Sequence, residues 1–97
     1  MTDATTLVSQ QGATSIFIDV RIEDSGDLRF SGQDIGEAPE EIFGDFDYEY
    51  WLTVPAAEKD RLLLALIAKF FKGNTSVVSE MKEFLEERDI PFGFQTY

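Results

Sequence analysis

The stretch Ser15-Ile16-Phe17-Ile18-Asp19-Val20-Arg21-Ile22-Glu23, followed by Asp24-Ser25-Gly26-Asp27 and then Leu28-Arg29-Phe30-Ser31, decides the fold class. Ile16, Ile18, Val20 and Ile22 point to one side of an extended chain, and Phe17, Asp19, Arg21 and Glu23 to the other. A period of two marks a strand with one buried and one solvated face. Asp-Ser-Gly-Asp is turn chemistry and the alternation resumes after it, so the segment predicts a β-hairpin with a four-residue loop. Residues 47–54 alternate in the same way. Tyr48, Tyr50, Leu52 and Val54 share one face while Glu49, Trp51 and Thr53 share the other, which predicts a third strand.

The flanks are read outward from this sheet. Residues 1–14 are small and polar and read as a flexible leader, in which Leu7-Val8 could extend a strand. Residues 32–46 hold Gly32, Gly36, Gly44 and Pro39 and read as a loop, with a short helical turn over 39–43. At about 15 residues it is long for a compact domain, and such loops tend to carry function or to be disordered.

Pro55 opens a helix, where its missing N–H costs nothing, and Glu58 and Asp60 complement the positive end. Leu62, Leu63, Leu66, Ile67 and Phe70 form one stripe at helical spacing, and Leu64, Ala68 and Phe71 widen it. A helix apolar on more than one stripe is covered on two sides, so both a monomer and a homodimer are compatible with it. Gly73 is the expected stop, and Asn74 or Thr75 the next N-cap. A second helix over 76–88 buries Val77, Val78, Met81, Phe84 and Leu85 and exposes Glu80, Glu83, Glu86 and Glu87. Ile90, Phe92 and Phe94 then alternate into a last strand. The expectation is a single α+β domain over 15–97: a small, largely antiparallel sheet in the order β-β-β-α-α-β, with two helices packed on one face.

Composition narrows the function classes. The chain has 97 residues, 19 Asp+Glu against 8 Lys+Arg and a formal charge of −11. Such a field repels nucleic-acid phosphates and anionic membranes and favours a basic protein partner or a divalent cation. With no His and no Cys, there is no zinc site of the usual ligand types, no disulfide, no thiol nucleophile and no imidazole acid/base. The glycines form no phosphate loop and no pair of carboxylates stands out as an acid/base couple, so the expectation is not an enzyme and no cofactor. The first residues lack the charged and apolar regions of a signal peptide, and no apolar run approaches the ~20 residues of a membrane span. The expected location is cytoplasmic.

Two features are candidates for contact. If the isoleucine and tyrosine faces meet the helices, Phe17 and Trp51 stand on the open face with Asp19, Arg21, Arg29 and Glu49, and aromatics with a polar rim are what interface centres carry. Between Phe30 and Glu58 the chain has eight carboxylates and no Lys or Arg. Asp34, Glu37, Glu40, Glu41, Asp45, Asp47 and Glu49 therefore join Phe17 and Trp51 as candidate partner-binding residues. Asp45, Asp47 and Glu49 have the i, i+2, i+4 spacing that opens an EF-hand. Tyr50 and Ala56, however, stand where that loop needs Gly and a bidentate Glu.

The segments Ser31-Gly32-Gln33-Asp34, Tyr48-Glu49-Tyr50, Phe84-Leu85-Glu86-Glu87 and Ile90-Pro91-Phe92 resemble a group of short acidic bacterial hypothetical proteins. The resemblance covers about residues 16–97. It implies a bacterial source and the same element order, and it implies no activity or ligand.

The reading from sequence is thus a non-catalytic acidic protein-binding or regulatory module that neutralises a basic partner, as an immunity protein neutralises a toxin. The alternative is a small-molecule or divalent-metal-binding domain using the carboxylates and tyrosines of residues 34–49.

Overall fold

The computed structural model describes residues 4–37 and 47–96. The chain divides into two compact units, Met1–Leu62 and Leu63–Tyr97.

The first unit is a four-stranded antiparallel sheet in the order β1-β2-β3-β4, formed by Ala4–Gln10, Thr14–Ile22, Leu28–Gly36 and Asp47–Val54. Every pair is antiparallel, and registers such as Ile18↔Gly32 and Gly32↔Tyr50 carry one face across the sheet. Ile16, Ile18, Val20 and Ile22 share that face with Leu28, Phe30, Tyr48, Tyr50, Leu52 and Val54. The opposite face carries Phe17, Asp19 and Arg21, then Arg29, Ser31 and Gln33, then Glu49, Trp51 and Thr53. The period-two alternation thus partitions the residues as expected.

The turn between β2 and β3 is tighter than a four-residue loop. Gly26 N–H donates to the Glu23 carbonyl and Glu23 N–H to the Asp27 carbonyl, each at 2.8 Å. Gly26 has φ +92°, so the loop proper is Asp24-Ser25-Gly26, with glycine at the left-handed position that three-residue hairpins require.

Two expectations about the sheet are corrected. Residues 4–10, expected within a polar leader, form β1: Thr5, Thr6 and Val8 are β-branched, and the strand pairs with β2 from Ala4↔Arg21 to Gln10↔Ile16. Its register slips between Thr6 and Val8, which makes Leu7 the extra residue of a bulge. Residues 32–36, expected as loop, continue β3 to Gly36. Gly32 does not break the strand, because the ring of Tyr50 lies over it and supplies the covering a side chain would have given. The remainder of the expected loop, 38–46, lies outside the described residues.

A single 3-10 turn over Ala56–Glu58 leads into helix α1, Lys59–Phe71, which crosses from the first unit into the second. Pro55 sits at the cap rather than inside the helix, and the Ala56 N–H donates to the Asp27 carboxylate at 2.8 Å. The hairpin loop thereby satisfies one of the orphan donors at the helix start.

In the second unit α1 ends at Phe71, and the turn after it holds Gly73 at φ +86°, the stop the sequence indicates. Helix α2 spans Val77–Glu87 with Ser76 at its N-cap. Asn74 is not the cap itself, but its side chain accepts from the Ser76 N–H at 2.8 Å and donates to Glu80 at 2.9 Å. At the other end Asp89 adopts φ 55°, and the Ile90 N–H returns to the Leu85 carbonyl at 2.9 Å. This is a Schellman-type closure with a non-glycine residue at the left-handed position.

The expected last strand does not form: residues 90–96 carry no strand, so the order is β-β-β-β-α-α. Pro91 has no N–H to give a ladder, and Gly93 supplies no side chain to a pleated surface. The alternating aromatics serve the helices instead. Phe92 and Phe94 line an apolar groove with Ile67, Val77, Met81 and Leu85, and the Lys82 ammonium lies 4.9 Å from the Phe94 ring centre.

Among the described residues only Gly32 is buried; the aliphatic sheet face is mostly half-buried, and Leu52 at its edge is 61% exposed. No helix among the described residues is long and apolar enough to cross a membrane.

Candidate functional site

The polar face of the sheet holds a shallow recess of about 250 Å³ lined by Phe17, Asp19, Ser31, Gln33, Glu49 and Trp51, with the Gly32 backbone beneath. Its geometry follows from register. One cross-strand row reads Phe17–Gln33–Glu49 and the next Asp19–Ser31–Trp51. The two aromatics therefore occupy opposite corners and the two carboxylates the other two, around a central strand bearing only Ser31 and Gln33. With strands about 4.8 Å apart and about 6.7 Å per residue pair along them, each diagonal spans roughly 12 Å between backbones. Large corners around a small middle make the recess.

The electrostatics of this face are ordered by rows. One row beyond Trp51 lie Arg21 and Arg29. Both reach Glu23, at 3.4 and 3.6 Å, and the Arg29 guanidinium also lies 5.6 Å from the Trp51 ring centre. Toward the other end the Gln33 amide donates to Asp47 at 3.0 Å and to Glu49 at 3.5 Å. The Asp19 carboxylate has no hydrogen bond or ion pair among the described residues. Trp51 is 55% exposed. The recess thus carries two acceptor corners, while the neighbouring arginines are held by Glu23.

The candidate residues taken from the sequence are distributed unevenly. Phe17, Trp51, Asp47 and Glu49 lie on this face. Asp34 lies on the opposite, tyrosine-bearing face, paired with Tyr48, and accepts a hydrogen bond from the Tyr50 hydroxyl at 3.0 Å. Burial first, and then the hydrogen bond and charge of Asp34, raise the Tyr50 pKa above its ordinary value. Tyr48 stacks obliquely on Tyr50 with ring centres 5.4 Å apart. Glu37 is exposed just past β3, its N–H donating to the Ala13 carbonyl at 3.2 Å. Glu40, Glu41 and Asp45 lie outside the described residues.

Among the described residues no three carboxylates gather as a cation site requires. Asp47 and Glu49 lie along β4, where i and i+2 share a face without converging, and Asp45 falls outside the described residues. The sequence reading puts Asp19 on this open face; Ser31 and Gln33 are the recess residues it does not assign to a site. Their placement depends on cross-strand register, which the hydrophobic alternation alone does not number.

Comparison of the chain with protein-family models, with curated proteins and with solved structures finds no match in any of the three.

Proposed function

We propose that the chain is a non-catalytic, acidic protein-binding module of the cytoplasm that holds a basic protein partner, in the manner of an immunity protein neutralising a toxin. The observation that carries this reading is the polar sheet face, where a half-buried Phe17 and an exposed Trp51 stand among the carboxylates of Asp19, Asp47 and Glu49. Exposed aromatics ringed by polar groups match the centre-and-rim anatomy of interfaces. A formal charge of −11 steers basic partners in and keeps nucleic acid and anionic membrane surfaces away.

The test is affinity capture with the immobilised chain and a Trp51→Ala twin, at ionic strengths of roughly 0.05 M and roughly 0.5 M. A basic protein retained by the wild type at low salt, released at high salt and poorly retained by the twin supports the reading. Equal retention on both baits, or retention indifferent to salt, overturns it. A light-scattering mass near 11.0 kDa identifies a monomer.

A further inference from the structure

We infer that the recess between Phe17, Trp51, Asp19 and Glu49 takes a single arginine side chain of the protein partner. The inference deepens the reading above and rests on it. Three observations select this occupant. The cavity, about 250 Å³, is below the ~300–1,000 Å³ of pockets for drug-sized ligands and suits one side chain rather than a free small molecule. Its chemistry is that of a cation receptor, because aromatic side chains line two corners and carboxylates that accept hydrogen bonds line the other two. The chain also displays the contact in miniature: the Arg29 guanidinium lies 5.6 Å from the Trp51 ring centre, so this indole takes a guanidinium in its present setting.

Charge places the occupant's head. Arg21 and Arg29 stand one row beyond Trp51, held on Glu23, and repel a second cation from that end. The Asp19 carboxylate is unengaged among the described residues, and that of Glu49 is met only by the long 3.5 Å contact from Gln33. The favourable position for positive charge is therefore along the Asp19–Glu49 diagonal, over Ser31 and Gln33. A guanidinium serves that position better than an ammonium. Its planar fork reaches acceptors on two sides while its face stacks on a ring, whereas an ammonium is a compact, strongly hydrated point charge.

The experiment uses the full chain, ¹⁵N-labelled, titrated with nona-arginine and nona-lysine peptides while backbone amides and the Trp51 indole N–H are followed by NMR. Saturable shifts are expected at Trp51, Phe17, Asp19 and Glu49, with nona-arginine binding about three- to tenfold more tightly than nona-lysine. The double variant Asp19→Asn/Glu49→Gln is expected to weaken nona-arginine about three- to tenfold. The variant Glu83→Gln/Glu86→Gln removes the same charge from α2 and is expected to leave the recess shifts and the Arg/Lys preference in place. Salt-sensitive binding that shifts other acidic residues and spares the recess overturns the arginine site and keeps the basic-partner reading. No saturable binding of either peptide overturns both. Equal affinity for the two peptides, or equal weakening by the two double variants, leaves only diffuse charge attraction and overturns the site.

Discussion

The ring of Tyr50 covers Gly32, its cross-strand partner, so closely that a Cβ at position 32 would overlap the ring. The ring is also tied down, since the Tyr50 hydroxyl donates to Asp34 at 3.0 Å. A glycine that weakens a strand in isolation here allows an aromatic to lie flat across the sheet and join β3 to β4.

Gly32→Ala is therefore expected to destabilise the chain by about 1–3 kcal/mol, the usual range for forcing a methyl into occupied space. In a Tyr50→Ala background the same change is expected to be neutral or stabilising, by up to about 1 kcal/mol, because alanine is the better strand residue once the ring is gone. Urea midpoints for the four proteins of this cycle measure the coupling. Equal effects in both backgrounds would sink the account of Gly32.

The Tyr50 pKa is raised by burial, and further by Asp34. The native state thus holds the phenolic proton more tightly than the unfolded chain does. The associated stability is fully present below the unfolded tyrosine value of about 10, and is lost as pH rises through the folded value. Ultraviolet titration of tyrosinate is expected to show a step above the ordinary tyrosine value, from Tyr50. In Asp34→Asn that step moves back toward the ordinary value without reaching it, because burial remains. An unchanged step in Asp34→Asn would remove Asp34 from the causes.

Asp27 caps a helix distant from it in sequence by accepting the Ala56 N–H at 2.8 Å. Asp27→Ala is expected to cost about 0.5–2 kcal/mol, and Asp27→Asn much less, since the amide oxygen still accepts. Thermal melts of the two variants decide this; identical losses would mean that Asp27 acts through the turn alone.

Asp89 closes α2 at φ 55°, a conformation that glycine adopts without the steric penalty of a side chain. Asp89→Gly is expected to stabilise the chain by roughly 0.5–1 kcal/mol, seen as a higher denaturation midpoint. A lower midpoint would show that the Asp89 side chain contributes more than its backbone strain removes.

Legibility in the sequence followed the strength of each local signal. β2 and β4 were readable because isoleucines and tyrosines alternate with polar residues over eight or nine positions, and α1 and α2 because their apolar stripes end before Gly73 and before Asp89. β1 was not, because its bulge at Leu7 breaks the alternation where its two large apolar residues fall. Gly32 looked like punctuation, and only its cross-strand partner Tyr50 makes it a strand residue. Residues 90–94 alternate as a strand would, yet the pattern is satisfied by packing Phe92 and Phe94 beside α2. In the site, alternation alone put Phe17, Trp51 and Glu49 on one face. It could not place Asp19 diagonally from Glu49, nor separate Asp34 from them, because both facts need the register and extent of β3.

The strand order β1-β2-β3-β4 also has a kinetic meaning. Every hydrogen-bonded neighbour in the sheet is the next strand along the chain, so no pairing waits for a distant segment to arrive. Low sequence separation between partners speeds folding, and a single hairpin closes in about 1–10 μs. The β2–β3 hairpin, with its three-residue loop and unbroken register from Thr14↔Gly36 to Ile22↔Leu28, is the natural nucleus. β1, held along one side and interrupted at Leu7, adds to it late and opens first, so its amides are expected to exchange with solvent ahead of those of β2 and β3.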